Sequence, residues 1–320
     1  MKRSTKIWIA AALGLIVIGC IIFAGAMEML KWDFKRLTTY RYETNEYTFE
    51  AGAKSISVRV NTADLVILPS ETDGIRVVCY EKTKEKHSVS VEGDNLVIAV
   101  AERRRWYEYI GIDFDSPKIT LYLPKGSYEA LTVKSDTGDV SIPGQFSFDR
   151  IEVSQSTGRT TCLASVTGEI RVKSSTGDIK LEKLSAGSVD LSVSTGRIDL
   201  SEVNCGSVRI KVSTGVTRLN DLACGELFSE GSTGDITLKK VIVSGRMSLE
   251  RDTGDIRLEA CDAAEIHIET DTGDVKGTLL SEKVFIAHSD TGKVKVPHTA
   301  SGGRCEIETD TGDIKIEIVQ

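Results

Sequence analysis

The sequence predicts an all-β chain: a right-handed parallel β-solenoid of about ten 19–20-residue coils, closed by an irregular β cap and preceded by one transmembrane helix. Three observations carry this. Thr-Gly recurs at a near-constant interval from residue 137 onward. Apolar and polar residues alternate between those glycines. An uncharged apolar run opens the chain.

Composition limits the rest. The chain has 320 residues, 40% hydrophobic and 27% charged, with only 5 Pro, which excludes wholesale disorder and a collagen-like chain. Net charge is −7, and residues 246–320 alone hold 16 acids against 9 bases, so the remainder is neutral. With no basic domain to neutralise phosphates, nucleic acid is not an expected partner. Four His share no ligand spacing, and seven Cys include no CxxC pair, so no zinc or thioredoxin signature is present.

Residues 1–6 form a short basic n-region with Lys2, Arg3 and Lys6. Residues 7–27 carry no charge, and a helix of that length spans roughly 30 Å, the thickness of a bilayer core. Positive charge before the run and Glu28 after it predict a cytoplasmic N-terminus with the bulk outside the cell membrane. Two rival readings exist. Ala24-Gly25-Ala26 matches a signal-peptidase site, and Val17-Ile18-Gly19-Cys20 matches a lipobox. The run is long for a cleaved segment and stays apolar after Cys20, which favours an uncleaved signal anchor. All three readings place most of the chain outside the cytoplasm. Residues 28–48 read as a juxtamembrane stalk, with Trp32 and Phe34 among Lys31, Lys35 and Arg36 as an interfacial anchor.

Residues 49–130 alternate less regularly, as in Ile56-Ser57-Val58-Arg59-Val60 and Leu96-Val97-Ile98-Ala99-Val100. They are expected to cap the rod as its irregular first coils, because an open solenoid end is a sheet edge. Within them Arg103, Arg104, Arg105 and Trp106 form the one basic-aromatic cluster. It reads as a solvated loop or as a contact for anionic lipid or wall polymer.

Residues 131–320 are the regular repeat. The Thr-Gly glycines are Gly138, Gly158, Gly177, Gly196, Gly215, Gly234, Gly254, Gly273, Gly292 and Gly312, at intervals of 19 or 20. A weaker series lies halfway, at Gly168, Gly187, Gly206, Gly225, Gly245 and Gly303. Between them runs period-two alternation, as in Val208-Arg209-Ile210-Lys211-Val212, which means strands with one buried face. A hairpin meander needs no constant repeat length, whereas coil stacked on coil does, so the solenoid is preferred. Each coil supplies two strands or two and a short third. Ten coils at about 4.8 Å make a rod of roughly 45–50 Å, right-handed by the crossover rule.

The strands leading into ITLYLPKGSYEALTVKSDTGDVSI, followed by serial STGDI, STGRI and DTGDV units, resemble the bacterial β-strand-repeat domain of unknown function called "putative adhesin", which includes LiaG-like envelope proteins. The resemblance covers about residues 50–320. It implies a membrane-anchored extracytoplasmic β-solenoid and no catalytic residues.

Candidate chemistry is sparse. Asp-Thr-Gly at Asp136, Asp252, Asp271, Asp290 and Asp310 is also the aspartic-protease signature, but five copies at coil spacing are corners of a repeat. Stacking would set carboxylates about 5 Å apart, where like charges repel or raise a pKa unless a cation intervenes. Asp252, Asp255, Asp271, Asp274, Asp290, Asp310 and Asp313 are therefore weak calcium candidates, the plainer expectation being that they bond turn amides. Cys205 and Cys224 both precede a halfway glycine and would meet on adjacent coils, within reach of a disulfide. The corners leave no long loops to build a cleft, so an enzyme is not expected.

The expected function is a non-catalytic binding or scaffold module at a bacterial cell envelope, its partner an unidentified envelope protein or glycan. One alternative is a polymer assembled end to end through an uncapped last coil, Ile314-Lys315-Ile316-Glu317-Ile318-Val319-Gln320. Another is an envelope-stress accessory protein acting with a membrane partner.

Overall fold

The computed structural model describes residues 3–33, 40–50, 52–101 and 115–319. Its one helix among these, α1 (Arg3–Met29), contains a 23-residue exposed apolar stretch, Ile7–Met29, long enough to cross a membrane and equally of a kind found in signal sequences. Trp32 follows it and donates from Nε1 to Glu28 at 3.2 Å. Phe34, Lys35 and Arg36 lie outside the described residues, as do Arg103, Arg104, Arg105 and Trp106.

Among the described residues, twenty-two strands follow in one hydrogen-bonded system. The cap holds β1 (Tyr42–Phe49), β2 (Ser55–Val60), β3 (Asp64–Pro69), β4 (Ile75–Lys82), β5 (His87–Glu92), β6 (Asn95–Val100) and β7 (Lys118–Leu123). The stack continues through β8 (Ser127–Thr137), β9 (Val140–Ile142), β10 (Ser147–Thr157), β11 (Thr160–Cys162) and β12 (Ser165–Thr176). Then come the long strands β13 (Ile179–Thr195), β14 (Ile198–Thr214), β15 (Thr217–Thr233), β16 (Ile236–Thr253) and β17 (Ile256–Thr272). Last are β18 (Val275–Leu279), β19 (Lys283–Thr291), β20 (Val294–Lys295), β21 (Gly303–Thr311) and β22 (Ile314–Ile318).

From β8 to β17 neighbouring coils pair in parallel, in register, so the solenoid of about ten turns is present. The pairing of β13 with β14 falls into three runs, Ile179 to Glu182, Leu184 to Ala186 and Ser188 to Val193, with Thr195↔Thr214 beyond them at the corner, so these coils carry the short third strand. The breaks fall at Lys183, held at φ 54°, and at Gly187. Within that coil Ile179, Leu181, Leu184, Val189, Leu191 and Val193 point inward and are buried, stacking on their equivalents above and below. Each such aliphatic side chain removed from water contributes roughly 1.5–3 kcal/mol before chain entropy is charged against it.

The corners explain the Thr-Gly column. Gly196 has φ 151°, and a Cβ built on it would lie 2.7 Å from the carbonyl carbon of Gly177 in the coil below. Only a residue without a side chain lets one corner rest on the next.

Coil order departs from chain order at both ends. β2 lies between β8 and β6, and β3 between β9 and β7, so the first coil sits inside the stack. At the far end β21 lies between β17 and β19, and β22 between β18 and β20. The open last coil expected at Ile314 to Gln320 is therefore corrected: Ile314 and Ile316 are buried, and the strand carrying them is paired on both edges. The reason is ladder length. β22 offers β18 five paired residues, whereas β20 spans only two and runs into Pro297, which has no N–H to give. The outermost strands are β19 and β20, where Val284, Ile286 and Val294 are exposed.

Residues 42–48, assigned from sequence to the stalk, are instead strand: β1 pairs antiparallel with β4 from Tyr42↔Lys82 to Phe49↔Ile75. Together with the antiparallel pairs β4–β7 and β5–β6, it closes the cap end of the stack.

Candidate functional site

The long strands present alternate residues outward, and pairing stacks these into rows. One row runs Lys134, Ser154, Lys173, Ser192, Lys211, Glu230, Glu250, Glu269, Glu308. Its sign changes at a single contact, the 2.7 Å ion pair between Lys211 Nζ and Glu230 Oε1. The Glu230 carboxylate draws the Lys211 ammonium upward from its ordinary range, first by that hydrogen bond and then by charge. Beyond it the exposed carboxylates of Asp252, Asp271, Asp290 and Asp310 flank the row on the same side of the Thr-Gly corner. The net negative charge of residues 246–320 is thus concentrated on one flat face.

The second set of predicted aspartates lies past the corner and does something different. Asp235 Oδ1 accepts from the backbone N–H of Asp255 at 3.0 Å, Asp255 Oδ1 from Asp274 at 2.9 Å, Asp274 Oδ1 from Asp313 at 2.8 Å, and Asp313 Oδ1 from Lys293 at 2.9 Å. Each carboxylate thereby ties its corner to the coil above. The same bond joins Asp64 to Asp139 and Asp139 to Arg159, both at 2.8 Å. The second oxygens are met by bases: Arg257 reaches Asp255 at 2.6 Å and Lys276 reaches Asp274 at 2.5 Å. That lysine hydrogen bond, then the Asp313 amide, holds the Asp274 carboxyl below its usual range. Thr-Gly corners separate Asp252 from Asp255, Asp271 from Asp274 and Asp310 from Asp313, so the seven candidates form two rows rather than one ridge.

Cys205 and Cys224 are in register on β14 and β15, both buried at 7% exposure. Both are free thiols with no disulfide between them, and the neighbouring Cys205 thiol, followed by burial, raises the Cys224 thiol above its ordinary value. Cys162, Cys261 and Cys305 are wholly buried small hydrophobes, and burial pushes Cys162 and Cys305 up to about 12.

Two features had no sequence signature. Arg251 is 2% exposed inside the stack, where its register partner is Gly231. Its guanidinium donates to Gly234 O at 3.2 Å, Glu250 O at 3.0 Å and Thr217 Oγ1 at 3.0 Å, and burial pulls its pKa down to about 10. In the cap, Cys79, Glu81 and His87 place a sulfur, a carboxylate oxygen and a ring nitrogen within 4.8 Å of one another, the one such mixed group among the described residues. Burial, followed by the Glu81 charge, drives the Cys79 thiol up to about 12.

Comparison with solved structures finds chains similar to this one. A "putative adhesin" from Parabacteroides distasonis ATCC 8503 is 14% identical, with a TM-score of 0.44, over 85% of this chain and 98% of the other. A "putative adhesin" from Bacteroides fragilis NCTC 9343 is 13% identical, with a TM-score of 0.41, over 87% and 97%. A "putative lipid binding protein" from Parabacteroides distasonis ATCC 8503 is 12% identical, with a TM-score of 0.36, over 88% and 98%. No curated protein matches. The family model described as Toastrack DUF4097 matches residues 53–216 and again 206–320.

Proposed function

Because the chain belongs to the Toastrack DUF4097 family, we propose that it is a non-catalytic binding and scaffold module, held at a bacterial cell envelope by its N-terminal helix with the solenoid outside the cytoplasm. The observation that carries this reading is the long-strand face. Coil stacking fixes its side chains in rows, and one of those rows passes from basic to acidic at Lys211 and Glu230. Such a surface recognises by spacing and charge, not by enclosing a small substrate. The partner is an envelope protein or glycan that reads those rows.

Photocrosslinkers placed at exposed Ser232, beside Glu230 on this face, and at Thr237 past the corner test the idea in intact cells. A discrete adduct from Ser232 that is absent from Thr237, and that is lost when Glu230, Glu250, Glu269 and Glu308 are all changed to Gln, supports the reading. Equal labelling from both positions, or an adduct indifferent to the four changes, ends it. Protease added to intact cells must also reach the solenoid; complete protection would overturn the location.

A further inference from the structure

We propose that Cys79, Glu81 and His87 form a binding site for a zinc-type divalent transition metal in the cap. Cys79 and Glu81 are two residues apart on β4, so both face the interior, and neither has exposed surface. The chain turns back through the Lys82↔Glu85 bridge and delivers His87, 5% exposed, as the first residue of β5. Strands of two different layers thus converge on one point.

The ligand atoms lie within 4.8 Å of one another. Tetrahedral bonds of about 2.0–2.3 Å set ligands roughly 3.3–3.8 Å apart, so a single ion needs only small side-chain adjustments here. The donor set selects the metal. Sulfur together with imidazole nitrogen suits zinc and its neighbours, while calcium and magnesium take oxygen alone. One thiolate and one carboxylate neutralise a dication, which makes the buried charge tolerable. Three protein ligands also leave a fourth position for a water or another donor.

The surrounding polar groups hold the ligands in place. Glu81 Oε1 accepts from Asn45 Nδ2 at 2.6 Å, and Glu81 Oε2 accepts from the His87 backbone N–H at 2.7 Å and lies 2.6 Å from His87 Nδ1. Tyr47 donates from its hydroxyl to the His87 carbonyl at 3.1 Å. Asn45 and Tyr47 both come from β1, so the strand that closes the cap also braces the site. Outer contacts of this kind orient metal ligands.

The test uses the full chain in detergent micelles, stripped with chelator and titrated with Co²⁺. The expected result is saturation at one ion per chain, with visible bands of a tetrahedral site and a thiolate-to-cobalt charge-transfer band, all bleached by Zn²⁺. Cys79→Ser removes the charge-transfer band and weakens zinc binding at least tenfold, whereas the Cys205→Ser, Cys224→Ser double variant keeps both. Absence of the bands in the unaltered protein overturns the proposal. So does a charge-transfer band that survives Cys79→Ser and vanishes with Cys205 and Cys224. None of these readouts depends on the crosslinking partner of the long-strand face.

Discussion

Arg251 Nη2 donates to Thr217 Oγ1 at 3.0 Å, reaching past Gly231, its own register partner. The guanidinium occupies space beside a residue with no side chain: a Cβ on Gly231 would lie 2.7 Å from Arg251 Nη1. Thr217 stands between Ile198 and Ile236 in its column. Hydroxyl and guanidinium are therefore a matched pair. Arg251→Met alone orphans the hydroxyl and is expected to cost about 1–2 kcal/mol. Adding Thr217→Ile removes that orphan, and the double variant should regain the loss or exceed the starting stability, because a buried charge has also been removed. Urea denaturation of the two single variants and the double variant measures the coupling; simple additivity would contradict the pairing.

Gly196 and Gly126 should respond oppositely to a methyl group. At Gly196 a Cβ meets the Gly177 backbone, and φ is 151°. At Gly126 nothing lies within 4 Å. Gly196→Ala is expected to lose more than about 3 kcal/mol, and Gly126→Ala to stay within about 0.5 kcal/mol. Thermal melts of the pair decide it.

A second column stores strain without glycine. Lys183, Glu202, Asp221, Lys240 and Ala260 hold φ between 49° and 54° at equivalent corners. Left-handed backbone costs an L-residue about 1–2 kcal/mol. Ala260→Gly relieves this and is expected to stabilise by about 1 kcal/mol, less the greater freedom of glycine in the unfolded chain. A lower melting temperature would count against it.

Acid should loosen the corner ladder. Asp274 is held below its ordinary value of 3.8 by Lys276 and by the Asp313 amide. A carboxyl depressed by folding stabilises above its unfolded pKa, and that contribution is lost as pH falls through the lowered value. Asp274→Asn should therefore melt below the unaltered protein at pH 7, with the gap closing as pH drops below about 4. A gap constant with pH would point to packing, not ionisation.

Cys205 and Cys224 are expected to join under oxidising conditions, closing a short loop worth about 3 kcal/mol in the chain-entropy account. Intact mass should fall by two hydrogens on oxidation and return with reductant. Persistent labelling of both thiols in the oxidised, denatured chain would exclude the bond.

Much of this architecture is legible in the sequence, and for a physical reason. A corner that must repeat every coil leaves a periodic trace, so Thr-Gly spacing places Gly177 under Gly196 and Cys205 beside Cys224. Inward phase likewise predicts the burial of Ile179, Leu181 and Leu191. What spacing does not carry is the order of stacking. Gly292 and Gly312 keep the regular interval, yet the Gly312 coil packs on that of Gly273, because five-residue β22 outcompetes two-residue β20 for the same edge. The left-handed corner at Lys183 was equally hidden, since no glycine marks it. Cys79, Glu81 and His87 match no spaced motif; the fold of two strands brings them together.

The stacking of Ile314–Ile318 beneath Val294 and Lys295 has a kinetic side. Residues reach the folding compartment in chain order, so 283–295 arrive while their eventual neighbour is still to come. If they settle on β17 and β18 at once, they take a berth that belongs to 303–318 and must be evicted from it. In-order growth of a simple coil array cannot by itself reach the stacking found at this end of the molecule.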